Sequence, residues 1–219
     1  MEVELEITLK EIKVKQTGED LYEVGFITSR GTNKGILHHR DENTAATILI
    51  GGTGGGFNGP SSIFKDLGTD LLGHDISSLR LDYRKAAHLE ECVLDVLMAM
   101  EFLEELGIDR VGLVGWSFGG AVVIQAGIAS EMVRTVATIA SQSYGTRGVE
   151  NLSPKALLLI HGTDDQTLPY SSSQDIYNRA NEPKEIVLYE RANHGIDQNR
   201  DQMLARIRDF LVMHLEEEE

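Results

Sequence analysis

From about residue 44 onward, short β-branched or apolar runs alternate with longer segments of helical periodicity, and this alternation limits the possible folds more than any other feature. The runs are TAATILI (44–50), ISSLRLDY (76–83), RVGLVGW (110–116), RTVATIA (134–140), ALLLIHG (156–162) and KEIVLYE (184–190). Such a pattern predicts a mainly parallel, twisted sheet with helices on both faces, an α/β fold. Between the second and third runs, Leu89, Cys92, Val93, Val96, Leu97, Met100 and Leu103 recur at helical spacing. Gly107 is placed to end that helix. A last helix carries Met203, Leu204, Ile207, Phe210 and Leu211 on one face and is expected to cover the sheet. The first forty residues read differently. VELEITL, KEIKVK, YEVGFITS and KGILHH alternate or nearly alternate in polarity, which predicts antiparallel strands entering the sheet from one edge. No internal repeat or Pro/Ser linker divides the chain, so residues 1–219 are expected to form a single domain.

Composition narrows the partners. A formal charge of −15 repels phosphate backbones and anionic lipid, and no Lys/Arg cluster offers a local exception, so neither nucleic acid nor a membrane is an expected partner. The terminal run Glu216 to Glu219 contributes to that charge and reads as a solvated end. No run approaches the roughly 18 consecutive apolar residues of a membrane helix, and MEVELEITLKEIKVK has neither the apolar core nor the cleavage site of a signal peptide. A cytoplasmic protein with a small-molecule partner is the expectation. The sequence specifies no oligomeric state. Cys92, the only cysteine, lies on the apolar helix stripe and reads as a buried core thiol.

The strongest local signal is Gly115-Trp116-Ser117-Phe118-Gly119-Gly120, directly after the run VGLVG and directly before the helical run AVVIQAGIA. A serine that attacks a carbonyl must stand clear of the sheet on a sharp strand-to-helix turn. That geometry requires glycines two residues to either side, where a Cβ would clash. The helix beginning there aims free N–H groups at the reaction centre. A helix-capping serine in a Gly-rich turn is the plainer alternative, and the strand–turn–helix context weighs against it.

At these residues the sequence resembles the α/β-hydrolase superfamily, and its small serine carboxylesterase and dienelactone-hydrolase-like members in particular. The resemblance implies the α/β-hydrolase fold and a nucleophile, acid and base in that chain order. His161-Gly162-Thr163-Asp164-Asp165-Gln166-Thr167-Leu168-Pro169 is similar to the family's H-G-x-x-D-x-x-(V/L)-P segment and implies Asp165 as the acid, with Asp164 as the alternative in a shifted register. Arg191-Ala192-Asn193-His194-Gly195 resembles the family's terminal histidine loop and implies His194 as the base. His194 would take the serine proton and return it to the leaving group, while Asp165 would fix the tautomer and stabilise the imidazolium. His161 is expected to be a structural residue of the strand-end turn. True dienelactone hydrolases carry a cysteine nucleophile, so Ser117 shifts the expectation toward ester hydrolysis.

The second glycine-rich stretch, Gly51-Gly52-Thr53-Gly54-Gly55-Gly56-Phe57, is expected to supply the other half of an oxyanion hole, with the N–H groups of Thr53 and Phe118 as donors. Gly51 stands where many family members have histidine, which leaves the first donor open among Gly52, Thr53 and Gly54. A dinucleotide-binding reading of the same stretch fails on spacing, because Phe57 occupies the place of the last glycine in G-x-G-x-x-G. His38-His39-Arg40-Asp41-Glu42 invites a metal reading, but adjacent strand residues point to opposite faces, so a solvated edge-strand turn is expected instead. No metal or organic cofactor is implied. Only SQSYGTRGVENLSPK (141–155) bridges the strands where relatives insert a cap, so no substantial cap domain is expected and the site should be open to short or accessible acyl substrates. Phe57, Trp116, Tyr144 and Leu168 are candidate pocket walls. Thioesterase or peptidase chemistry, or a non-catalytic ligand-binding protein on the same fold, are the alternatives.

Overall fold

A computed structural model describes residues 7–216 of the chain. Strands β1 (Leu9–Gly18), β2 (Leu21–Thr28) and β3 (Gly31–His38) form an antiparallel meander. They contain KEIKVK and most of YEVGFITS and KGILHH, while of VELEITL only Ile7, Thr8 and Leu9 are described, and of the terminal glutamates only Glu216. The six later strands are β4 (Ala45–Ile50), β5 (Ile76–Leu81), β6 (Arg110–Trp116), β7 (Val133–Ile139), β8 (Ala156–Gly162) and β9 (Lys184–Tyr189). All nine belong to one sheet in the order β1-β2-β3-β5-β4-β6-β7-β8-β9, parallel from β5 to β9. β3 joins the parallel part by pairing antiparallel with β5. This is the expected α/β-hydrolase architecture.

Helices α1 (Ile63–Leu72) and α5 (Arg200–Leu215) cover one face; α2 (Leu89–Glu105), α3 (Phe118–Ala129) and α4 (Ser171–Arg179) cover the other. Alternation divides each strand between the two cores. In β4, Ala45 and Leu49 pack with Phe64, Leu67, Ile207 and Phe210, whereas Ala46, Ile48 and Ile50 pack with Val96, Met100 and Val122. Ile48, Leu49 and Ile50 are fully buried, each contributing about 1.5–3 kcal/mol of transfer free energy. α2 ends as its sequence predicts. Gly107 takes φ 88°, its N–H bonds the Glu104 carbonyl at 2.9 Å and the Ile108 N–H bonds Leu103 at 3.1 Å, the Schellman closure. Cys92 is buried in this layer, and burial pushes its thiol up to about 12.

Two expectations need correction. β5 stops at Leu81, two residues short of the apolar run, because the Asp82 carboxylate turns back to accept the N–H groups of Tyr83 and Gly56, both at 2.8 Å. His38 and His39 are not a solvated edge turn, being only 5% and 6% exposed. The cause is non-local: β3 lies inside the sheet between β2 and β5, and Gly68 of α1 brings that helix down onto the His38 ring. The two rings do face different neighbours, His39 bonding Ser77 Oγ at 2.8 Å through Nδ1.

The parallel order reverses at β4, which has β5 on one side and β6 on the other. A crevice forms outside the carboxyl ends of strands at such a point. Both glycine-rich segments open there, one after β4 and one after β6. Between β7 and β8 only a single 3₁₀ turn, Val149–Leu152, interrupts the connecting loop. Among the described residues no helix is long and apolar enough to cross a membrane.

Candidate active site

Ser117 sits between the last residue of β6 and the first of α3 with φ 58° and ψ −117°, a left-handed φ that costs a non-glycine residue about 1–3 kcal/mol. Its neighbours make that turn possible. A Cβ on Gly115 would lie 2.2 Å from the Gly119 carbonyl oxygen, and one on Gly119 would lie 2.4 Å from the Gly51 oxygen. The Ser117 N–H is tied to Ile139 at 2.8 Å, so the turn is anchored to β7. The helix-cap alternative finds no support, since the Ser117 side chain makes no capping hydrogen bond to α3.

Asp165 and His194 meet from two different loops. The Asp165 carboxylate is buried; Oδ1 accepts the N–H groups of Thr167 at 2.7 Å and Leu168 at 2.9 Å, and Oδ2 accepts His194 Nδ1–H at 2.6 Å. Burial pushes the Asp165 carboxyl up, but the hydrogen bonds from His194, Leu168 and Thr167 outweigh it and hold the group below its ordinary value. An ionised Asp165 can only accept, so Nδ1 carries the proton and Nε2 is left as the basic nitrogen of His194. Asp164 is exposed and contributes no side-chain bond to this pair. Gly162 lets the two loops approach, since a Cβ there would lie 2.3 Å from the Ala192 oxygen.

Trp116 links this pair to the serine turn. Its indole Nε1–H bonds the His194 carbonyl at 3.2 Å and its ring lies 5.4 Å from the imidazole, so the residue adjacent to Ser117 holds both backbone and ring of the histidine. On the other side, the backbone of Gly52 abuts the serine, a Cβ at Gly52 falling 3.5 Å from Ser117 Cβ. Thr53 follows it, exposed, and Phe118 begins α3. Among the described residues no backbone acceptor engages the N–H of Thr53 or of Phe118.

Two residues that the sequence did not single out hold this loop. The Tyr83 hydroxyl donates to the Gly51 carbonyl at 2.8 Å, and its ring meets Phe118 edge-on at 6.0 Å. Asp82 holds Gly56 as described above, and a Cβ on Gly55 would lie 2.3 Å from the same carboxylate oxygen. His161, expected as a structural residue of the strand-end turn, reaches the site itself. It belongs to β8 itself, not to the turn beyond, and its Nε2 lies 3.1 Å from Asp165 Oδ2. For Asp82 and Tyr83 the sequence signal was position just past the carboxyl end of β5, and for His161 it was its place at the head of the segment that carries Asp165.

The four candidate wall residues do not converge. Trp116 and Leu168 adjoin His194 and Asp165 respectively. Tyr144 is 84% exposed and lines a cleft of about 730 Å³ with Leu89, Val93 and Leu94 of α2 and Gln125 of α3. Phe57 lies over the meander in a separate groove of about 380 Å³ with Lys13, Lys15 and Lys34. Among the described residues no group of histidine, cysteine and carboxylate side chains is disposed to hold a metal ion.

The profile of the dienelactone hydrolase family matches residues 76–209, well over half of the chain. The uncharacterised protein YfhR of Escherichia coli K12 is 30% identical over 111 residues, 49% of this chain and 39% of that protein. Its counterpart in Salmonella typhimurium is 21% identical over 83% of this chain and 51% of that protein, so the chain spans about half or less of these relatives' length. Among solved structures, a dienelactone hydrolase from Anabaena variabilis superposes with a TM-score of 0.78 at 16% identity, covering 90% of this chain and 98% of that one. A cold-adapted esterase from an Arctic intertidal metagenomic library gives 0.75 at 16% identity, covering 95% and 100%. At such identities these structures speak for the fold.

Proposed function

Because the chain belongs to the dienelactone hydrolase family, we propose that it is a serine hydrolase of carboxylic esters, with Ser117, Asp165 and His194 as its catalytic residues. The observation that carries this reading is the 2.6 Å bond from His194 Nδ1 to a buried carboxylate, in a histidine that Trp116 ties to the serine turn. Ser117, where the family's namesake has cysteine, favours esters over that lactone chemistry. The Arctic cold-adapted esterase and an esterase domain from Rhodothermus marinus share this fold, which agrees with it.

In the proposed reaction Ser117 Oγ attacks the acyl carbonyl as His194 Nε2 takes its proton, forming a tetrahedral oxyanion. The N–H groups of Phe118 and Thr53 receive that charge, a contribution of about 10²–10³-fold per donor in measured analogues. Collapse breaks the bond to the alcohol, which leaves with the proton from His194, and water then hydrolyses the acyl-enzyme by the same proton path in reverse. The short 140–155 connection supports short or accessible acyl substrates. We further propose that the chain acts as one domain in the cytoplasm on a small molecule, with no nucleic-acid or membrane partner.

Turnover of p-nitrophenyl acetate and butyrate by wild type and Ser117→Ala tests the reading. The variant should lose on the order of 10⁶-fold in kcat, since residues that act as a unit fail together. Equal rates would overturn it in favour of a binding protein. Faster hydrolysis of long-chain triglyceride emulsions than of short esters would overturn the substrate class.

A further inference from the structure

Of the buried ionisable groups that the proposed reaction leaves unused, His161 is one that touches the proposed catalytic residues. Its side chain is fully buried, with Nδ1 2.7 Å from Ser173 Oγ of α4 and Nε2 3.1 Å from both Asp165 Oδ2 and the Leu168 carbonyl oxygen. The carbonyl has no proton to give, and Asp165 is held ionised by its other donors. Nε2 must therefore carry the ring proton, and Ser173 donates its hydroxyl to Nδ1. Burial lowers the His161 pKa, so the ring stays neutral in this one tautomer. The groups acting on it electrostatically are Asp165 and His194. α4 sets uncharged Ser173 against it and β9 sets Leu188 beside it in register.

The oxygen His161 donates to is the one that receives the His194 Nδ1–H. We propose that His161 is a positioning residue for the Asp165–His194 pair: its Nε2–H, shared between Asp165 Oδ2 and the Leu168 carbonyl, fixes the carboxylate's rotation and draws charge from the oxygen that faces His194. The inference rests on the reading of Asp165 and His194 as acid and base. Both carboxylate oxygens are then filled by two donors each, Thr167 and Leu168 on one, His194 and His161 on the other. A carboxylate so satisfied cannot rotate without losing four bonds, and it is a weaker base than one with a single partner. A neutral ring serves here where a charged one would fail, because an imidazolium at His161 would repel the one that forms on His194 during attack.

Two substitutions separate positioning from packing. His161→Phe keeps the ring volume and removes the donor; His161→Gln restores an N–H near the Nε2 position. Proton uptake by the Asp165–His194 pair, followed by NMR in the folded proteins, should move to higher pH by about half to one unit in the Phe variant, because the unrelieved carboxylate holds the shared proton more tightly. The Gln variant should return close to the wild-type midpoint, and the acid limb of kcat/KM should follow both. A folded Phe variant whose midpoint matches wild type, or Phe and Gln shifts of equal size, would overturn the proposal. Should the Phe variant not fold, the ring ¹⁵N shifts of wild type decide. A neutral Nε2–H tautomer at His161 across neutral pH is expected, and a protonated Nδ1 there sinks the idea. The NMR readouts need no turnover, so an inactive wild type would count against the ester hydrolase reading alone.

Discussion

Each edge of the parallel strands holds a pair of histidines, and the two pairs differ in what faces them. At the carboxyl edge, His161 and His194 share one oxygen of Asp165. At the opposite edge, where His38 lies in register with Ser78 near the start of β5, His39 meets a serine hydroxyl and the His38 Nε2 has no partner among the described residues. Asp41 lies 3.8 Å from His39, but its side chain is 98% exposed and water screens it. Burial therefore dominates: it lowers the pKa of both His38 and His39, and for His38 the positive charges of Arg80 and Lys65 push the same way, to about 4. Burying an imidazole produces an inert neutral ring. At Asp165 the two rings part: His161, fully buried, spends Nε2–H on the carboxylate, whereas the partly exposed His194 spends Nδ1–H and keeps Nε2 free to accept, as the proposed base requires.

The largest test of this contrast removes the carboxylate. Asp165→Asn leaves a side chain of nearly the same shape but puts an N–H where His194 needs an acceptor, so the histidine is driven toward the wrong tautomer. The loss expected in kcat for p-nitrophenyl butyrate is about 10⁴-fold. Asp164→Asn, at an exposed carboxylate one residue earlier, should stay within about twofold, as a surface change away from packed features does. Comparable losses in both variants would mean that loop charge, not the Asp165–His194 bond, matters.

A smaller effect is expected where the polar partner acts on the backbone. Tyr83→Phe removes the hydroxyl that holds the Gly51 carbonyl, leaving a buried acceptor unpaired at a cost of about 1–3 kcal/mol. The ring contact with Phe118 survives, so the fold should persist while the 51–53 loop loses its fixed position. We expect kcat to fall about tenfold with KM little changed, the pattern of a donor displaced from the transition-state oxygen. A raised KM at constant kcat would assign Tyr83 to ground-state binding instead.

How much of this was legible in the sequence follows from the range of the interactions. The serine turn was legible because its constraint is local: Gly115 and Gly119 are required by backbone contacts within four residues, and by the neighbouring Gly51. The parallel strands were legible because strands buried on both faces read as nearly continuous apolar runs, as in β4 and β8, broken only by Thr47 and His161. The His38–His39 environment was not, since it depends on β3 pairing with β5, where His39 bonds Ser77 at a separation of 38 residues, and on where α1 crosses. Tyr83 was hidden within an apolar run that the Asp82 carboxylate terminates. The role of His161 needs Ser173 from a later helix, and periodicity carries no information on such a meeting. Phe57 and Tyr144 part company because loop paths decide which groove each aromatic enters.

The smallest effect on activity is expected at His38, and there pH is the informative variable. The His38 pKa is near 6.5 in the unfolded chain and lowered to about 4 in the fold. Between these values the unfolded state binds a proton that the folded state refuses, so stability is intact above pH 6.5 and is lost as pH falls toward 4. At pH 5 the single site costs about 2 kcal/mol. His38→Leu removes the titration together with the unpartnered Nε2, and urea unfolding should place it within about 1 kcal/mol of wild type at pH 7. At pH 5 the variant should be the more stable protein, with ester turnover unchanged because the residue lies at the edge opposite Ser117. Parallel losses of stability from pH 7 to 5 in the two proteins would mean that the His38 ring accepts its proton without leaving the fold, and that the two histidine pairs are less different than their carboxylates make them.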